Sequence, residues 1–174
     1  MNFILSCTFV SLIFTGCFGQ EFSKSASCKN PDFDAKVNSY LSYSAPVISV
    51  ASAEKDQDKI IFLDAREKVE YDISHIPGAV YVGYKDFDIK KLNHIAKDSK
   101  IVVYCSIGYR SEKITAKLRK AGYKYSYNLY GSLFEWVNLD FPVQDKDGQW
   151  TNKIHSYNKS WSKWVMNPKI EKVW

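Results

Sequence analysis

Cysteine and histidine are scarce in this chain of 174 residues, with four of the first and three of the second. Four cysteines are too few to staple a chain of this size, which can bury enough surface to stand without them, so a disulfide scaffold is excluded. His75, His94 and His155 form no cluster with cysteine at metal-ligand spacing, and neither a metal nor a cofactor is expected. No Lys/Arg-rich run and no nucleic-acid motif accompanies the net charge of +5, which argues against a nucleic-acid partner. There is no internal repeat and no low-complexity segment. No apolar run reaches the ~20 residues that a membrane-spanning helix needs.

The sequence is rich in core-forming residues, 45% apolar and 16% aromatic, so an ordered domain is expected. Its length suits one globular unit with extensions. Charge is unevenly spread: from Asp145 to Trp174 there are six Lys against three acids, so about +3 of the +5 lies in the tail. At the other end, Phe3 to Phe18 is an uncharged apolar run that gives way to Gln20-Glu21. This pattern reads as a signal peptide over residues 1–19 and predicts an exported chain, periplasmic or secreted. Phe14-Thr15-Gly16-Cys17 also resembles a lipobox, so a lipid anchor on Cys17 is the alternative and the one route to a membrane. Ordinary cleavage leaves Cys28 and Cys105.

Asn30-Pro31 is a helix start, and Phe33, Val37, Tyr40 and Leu41 predict a helix over residues 31–43 inside an N-terminal extension, 20–46. Beyond Pro46, short apolar runs at 47–50, 60–63, 79–82, 101–104 and 125–129 read as strands. Stretches 67–73, 86–96, 111–121 and 132–139 between and after them suit helices. Alternation of this kind predicts an α/β fold over residues 47–144: an open, mostly parallel five-stranded sheet flanked by helices on both faces. Gln144 to Gly148 reads as a polar linker. In the basic, aromatic C-terminal extension, 145–174, the spacing of Trp150, Ile154, Tyr157, Trp161, Trp164 and Val165 predicts a helical stripe, packed on the domain or presented to a partner.

Chemistry concentrates in Ile101-Val102-Val103-Tyr104-Cys105-Ser106-Ile107-Gly108-Tyr109-Arg110-Ser111. A buried strand here runs through a short glycine-containing loop into a helix, and Cys105 stands at the strand's carboxyl end, where open α/β sheets place their reactive crevice. Successive N–H groups of Ser106 to Tyr109 can turn inward as a nest for an anion. The helix from Ser111 adds the positive end of its dipole and Arg110 a full charge, and all three favour thiolate over thiol. A lone cysteine in an apolar strand is otherwise inert filling. Elsewhere, Asp64 ends a strand, and Arg66 and Glu70, four apart, suit an ion pair that fixes the following loop. His75, before the turn Ile76-Pro77-Gly78, reads as a hydrogen-bonding strut.

These motifs resemble the single-domain rhodanese (sulfurtransferase) family, of the exported bacterial type. The Cys-x4-Arg-Ser loop is one signature. Leu63-Asp64-Ala65-Arg66, Glu70-Tyr71 and His75-Ile76-Pro77-Gly78-Ala79 are similar to the family's amino-terminal hallmark, and Gly131 to Trp136 with Phe141-Pro142-Val143 to its closing helix and exit. Ser132 stands where the family often has a second glycine, a departure expected to affect only backbone freedom before the last helix. The resemblance implies that Cys105 carries a persulfide. It also implies that the amides of Ser106, Ile107, Gly108, Tyr109 and Arg110 surround the outer sulfur, and that the Arg110 guanidinium binds the anionic donor or positions the loop. Ser111, Asp64 and Arg66 would support them. The implied partners are a small anionic sulfur donor such as thiosulfate and a thiol or cyanide acceptor, or a protein acceptor. Phosphatases of similar architecture use Cys-x5-Arg, a wider loop than this one. The alternative is an exported thiol redox or protein-binding module on the same scaffold, with Cys28 as a partner for Cys105.

Overall fold

The computed structural model describes residues 22–174; the expected leader, with Cys7 and Cys17, lies outside the described residues. Five strands, β1 (Val47–Ile48), β2 (Ile61–Asp64), β3 (Val80–Tyr81), β4 (Ile101–Tyr104) and β5 (Ser126–Leu129), form one sheet in the order β1-β5-β4-β2-β3. All four pairings are parallel. Side chains alternate across a strand, so each strand feeds two cores. Phe62, Val102 and Tyr104 pack on one face with α1 (Pro31–Asn38), α2 (Val50–Lys55) and α5 (Ser132–Asn138). Leu63, Ile101 and Val103 pack on the other with Ile114 and Leu118 of α4 (Tyr109–Lys120). The remaining helix, α3 (Lys68–Ile73), follows β2. Burial on both faces explains why β4 is apolar throughout, and the doubly covered parallel sheet is the one the sequence predicts.

Where elements differ from expectation, local polar groups account for it. The first helix ends at Asn38 rather than near 43. Tyr43 turns into the left-handed region (φ 54), and the Ser42 and Ser44 amides reach Glu112 of α4 instead of continuing the helix. Ser49 caps the unforeseen α2 by accepting the Ser52 N–H at 3.2 Å. Over 86–96 only a 3-10 turn, Ile89–Leu92, forms, because the Asp88 carboxylate takes the Lys90 N–H. Leu92 and Ile95 still reach the core from it.

The C-terminal extension corrects the expected helix and linker. β6 (Val143–Gln144) pairs antiparallel with β7 (Trp150–Thr151) across a turn in which Gly148 takes φ 75. β8 (Lys153–His155) and β9 (Glu171–Val173) pair in parallel, leaving a single 3-10 turn, Ser162–Trp164, between them. Asn and Ser side chains compete for the backbone here: Asn158 accepts the Trp161 N–H and Ser162 donates to Lys159 C=O. The apolar residues find separate seats instead of one helical face. Ile154 and Val165 are buried, and Trp164 stacks on Phe33 with ring centres 5.6 Å apart. No helix among the described residues is long and apolar enough to cross a membrane.

One glycine locks the sheet to α5. Gly131 has φ 74, and a Cβ there would lie 2.6 Å from Cys28 Sγ and 2.7 Å from Glu135 Cβ. Gly131→Ala is expected to lower unfolding stability by about 1–3 kcal/mol through overpacking in a left-handed conformation. Urea denaturation measures this, and an unchanged midpoint would contradict it.

Candidate active site

Cys105 follows β4 directly and is only 1% exposed. It lies on the floor of a pocket of about 460 Å³ that opens between Ser106, Ile107, Tyr109 and Arg110. Cys105 is thus withdrawn from bulk water while forming part of the pocket lining.

The loop from Cys105 to Gly108 is shaped by where its carbonyls go. Leu133 and Phe134, at the start of α5, donate to the carbonyls of Cys105 (3.2 Å) and Ser106 (3.1 Å). The Gly108 carbonyl accepts from Asn128 Nδ2 at 3.1 Å and from the Glu112 amide at 3.0 Å. All peptide bonds among the described residues are trans, so a carbonyl drawn outward turns the next N–H to the opposite side. The amides of Ser106, Ile107 and Tyr109 are therefore directed away from α5 and Asn128. Gly108 makes this possible by adopting φ 117; a Cβ there would meet only ordinary contacts, so conformation rather than space requires glycine.

Donors converge on the sulfur. The Gly108 N–H points at Cys105 Sγ at 3.1 Å, and Ser111 Oγ lies 3.5 Å away. α4 begins at Tyr109 rather than at the expected Ser111, so Ser111, whose amide and hydroxyl both favour the thiolate, lies within its first turn. Burial alone would raise the thiol pKa. The Arg110 charge, the amide and hydroxyl of Ser111 and the Gly108 amide outweigh it and hold Cys105 below the ordinary 9.0. Of the five amides that the resemblance places around the sulfur, that of Gly108 bonds Sγ itself. Ser106, Ile107, Tyr109 and Arg110 line the space above.

Arg110 is not free. Its Nη1 and Nη2 donate to the two Glu70 carboxylate oxygens at 2.6 and 2.7 Å, and Nη2 also reaches Ser106 Oγ at 3.0 Å. Glu70 accepts in addition from Ser106 Oγ (3.2 Å) and from the Glu67 amide at the start of α3 (2.9 Å). Burial works against the Glu70 charge, and Arg110 overcomes it, holding that carboxyl below its usual range. The expected Arg66–Glu70 pair is not made. Arg66 folds back onto Asp64, Nη2 to Oδ2 at 2.7 Å with both side chains fully buried, and donates to the Ser74 carbonyl. Asp64 and Arg66 thus brace the β2–α3 connection and do not line the pocket. His75 stacks on Tyr71 at 4.0 Å and its backbone pairs with Gln144, a strut as expected.

The sequence motifs assign no site role to Asn128, Ser132 or the aromatic rings that complete the site. Asn128 holds the Gly108 carbonyl with Nδ2 and accepts the Ser111 hydroxyl on Oδ1 at 2.7 Å. Ser132 accepts the Cys105 amide at 3.2 Å and donates to the Leu129 carbonyl at 2.9 Å. It does so from φ 50, so the residue expected to alter only backbone freedom is bonded to the reactive residue itself. Aromatic side chains, Tyr40, Tyr84, Tyr157 and Trp161, wall the pocket. Asn128 and Ser132 had one available signal, a polar residue within or beside an apolar stretch, since such groups must find partners once buried.

Cys28, the partner for Cys105 in the redox-module alternative, is buried behind Gly131 and unpaired, like Cys105 itself. Burial and the nearby Glu135 carboxylate push its thiol upward, the opposite of an activated thiol. Among the described residues, no three His, Cys, Asp or Glu side chains gather as a metal site.

Arg110→Gln should move the pH midpoint of Cys105 alkylation up by about one unit or more, and strand Glu70 as a buried charge at a cost of about 3–5 kcal/mol. Adding Glu70→Gln should restore much of the stability and leave the alkylation midpoint high. A midpoint unmoved in both variants, read by iodoacetamide kinetics in a Cys28→Ala background, contradicts the electrostatic contribution of Arg110.

The Rhodanese-like domain family model matches residues 48–139, just over half of the chain. Among curated proteins, the tRNA uridine(34) hydroxylase of Buchnera aphidicola is 38% identical over 84 residues, 45% of this chain and 27% of that protein. The tRNA uridine(34) hydroxylase of Onion yellows phytoplasma is 37% identical over 89 residues, 48% of this chain and 29% of that one. The chain spans less than a third of the length of either relative. A protein from Bacillus halodurans superposes with a TM-score of 0.55 at 22% identity, covering 68% of this chain and 89% of its own. The thiosulfate sulfurtransferase of Pseudomonas aeruginosa superposes at 0.53 and 21% identity, covering 70% and 23%. At such identities the structural likeness is one of fold. With the family match lying across the sheet and the Cys105 loop, the chain belongs to the rhodanese-like domain family.

Proposed function

We propose that this protein is a sulfurtransferase that carries sulfane sulfur on Cys105. The observation that carries this reading is the placement of Cys105 Sγ: withdrawn from bulk water, bonded by the Gly108 amide, held below the usual thiol pKa, and open to a pocket on one side. In the first half-reaction the Cys105 thiolate attacks the outer sulfur of a donor such as thiosulfate. A sulfur–sulfur bond forms at Cys105, the donor's own sulfur–sulfur bond breaks, and sulfite leaves with the electron pair. The persulfide keeps one negative charge, and the amides turned inward from Ser106 to Tyr109 stabilise it without rearrangement. In the second half-reaction a thiolate or cyanide takes the outer sulfur and the Cys105 thiolate is regenerated. Arg110, fixed by Glu70, contributes charge and holds the loop rather than gripping the donor with its fork.

The relatives' name supports a second reading, an RNA-directed role for the shared segment in hydroxylation. The segment matched is under a third of each relative, and with 15 Lys and Arg against 12 Asp and Glu the family segment 48–139 is only mildly basic. The redox-module alternative draws no support from Cys28, which is buried, unpaired and deactivated.

Intact mass spectrometry after incubation with thiosulfate separates these readings. Sulfur transfer predicts a gain of one sulfur atom in the wild type, none in Cys105→Ser, and reversal by cyanide with release of thiocyanate. An equal gain in both proteins, or none in either, removes Cys105 from such a mechanism.

A further inference from the structure

The pocket over Cys105 is far larger than a small inorganic anion requires. About 460 Å³ falls in the range of ~300–1,000 Å³ that organic ligands occupy. Ser106 and Arg110 line it beside Cys105, but five of its lining side chains are the rings of Tyr40, Tyr84, Tyr109, Tyr157 and Trp161. Tyr40 follows α1, and Tyr157 and Trp161 belong to the C-terminal extension, so three of the five lie outside the segment that matches the family. The family's domain alone does not build this cavity; the extensions complete it.

The rings are organised. Tyr40 stands edge-on to both Tyr109 (6.4 Å between ring centres) and Trp161 (5.4 Å). Tyr157 lies 5.5 Å from the Arg110 guanidinium and takes φ 67, a conformation that bulky side chains rarely adopt, yet its side chain stays 54% exposed. Strain that leaves an aromatic face uncovered gains nothing from core burial, and such strain concentrates where a ligand is held. The cavity also contains a cation, Lys85, that forms no ion pair among the described residues, whereas Arg110 is already held by Glu70. Glu67 adds one carboxylate to the lining.

Building on the sulfur-transfer reading, we propose that Tyr157 and Trp161 are specificity-determining residues that fit the pocket to an organic sulfur donor with a flat aromatic body and an anionic sulfur group. The ring of such a donor lies among Tyr40, Tyr157 and Trp161, and its terminal sulfur reaches Cys105. With an aryl thiosulfonate the chemistry balances as before: the Cys105 thiolate bonds the terminal sulfur, the sulfur–sulfur bond of the donor breaks, and an aryl sulfinate departs with the electron pair.

The test compares benzenethiosulfonate with methanethiosulfonate as donors and cyanide as acceptor, taking the ratio of their kcat/KM values in each protein so that intrinsic reactivity cancels. Trp161→Ala and Tyr157→Ala are each expected to lower the aryl-to-methyl ratio by about three- to tenfold, the worth of an aromatic contact, while Trp161→Phe keeps it within about twofold of wild type. Cooperative unfolding of each variant confirms that it is folded. A ratio unchanged in both folded alanine variants overturns the specificity inference while persulfide formation from thiosulfate stands. Failure of the wild type to form a persulfide with any donor overturns the sulfur-transfer reading and this inference with it.

Discussion

A negative sulfur almost wholly removed from water persists only if fixed dipoles and charges replace the water it has lost. That requirement at position 105 organises the surrounding structure. The start of α5 and the Asn128 side chain pull the loop carbonyls outward, and the amides between them are turned the other way as a consequence of planar trans peptides. The first turn of α4 supplies further N–H groups, and Arg110 supplies charge. Neither burial nor Arg110 alone decides the outcome. Burial raises the thiol pKa, and only the sum of the opposing contributions brings it below the ordinary value.

Arg110 depends in turn on Glu70. A guanidinium this close to a thiolate would be mobile and solvent-seeking without a partner; the bidentate carboxylate fixes it in one plane. Glu70 is itself held by the amide that opens α3 and by Ser106, so the connection after β2 and the loop after β4 meet in one charged network. Asp64 and Arg66 stiffen the same connection from beneath. Removal of any one charge leaves another buried and uncompensated, which explains why the site is built from pairs rather than from isolated residues.

The sheet and the reactive loop were legible because they rest on local signals. The apolar run Ile101 to Tyr104, the glycine after Cys105 and the helix pattern beyond it are close neighbours in sequence. Partners brought together by the fold were not legible. The i, i+4 spacing pairs Glu70 with Arg66, yet α3 presents it to Arg110, forty residues away. Ser132 carried no sign that its hydroxyl would meet the Cys105 amide, since that contact depends on two left-handed residues in succession, Gly131 and Ser132. The C-terminal extension misled for a physical reason: its apolar spacing fits a helix, but Asn and Ser side chains take the backbone bonds a helix would need. Its rings therefore reach separate places, Trp164 the core and Trp161 the pocket.

The most direct measurement is titration of the Cys105 thiolate by its ultraviolet absorbance, in Cys28→Ala protein with Cys105→Ser as the blank. A midpoint clearly below 9.0 is expected from the donors gathered on the sulfur. A midpoint at or above 9.0 would mean that burial prevails over those donors, and the thiolate nucleophile would be contradicted.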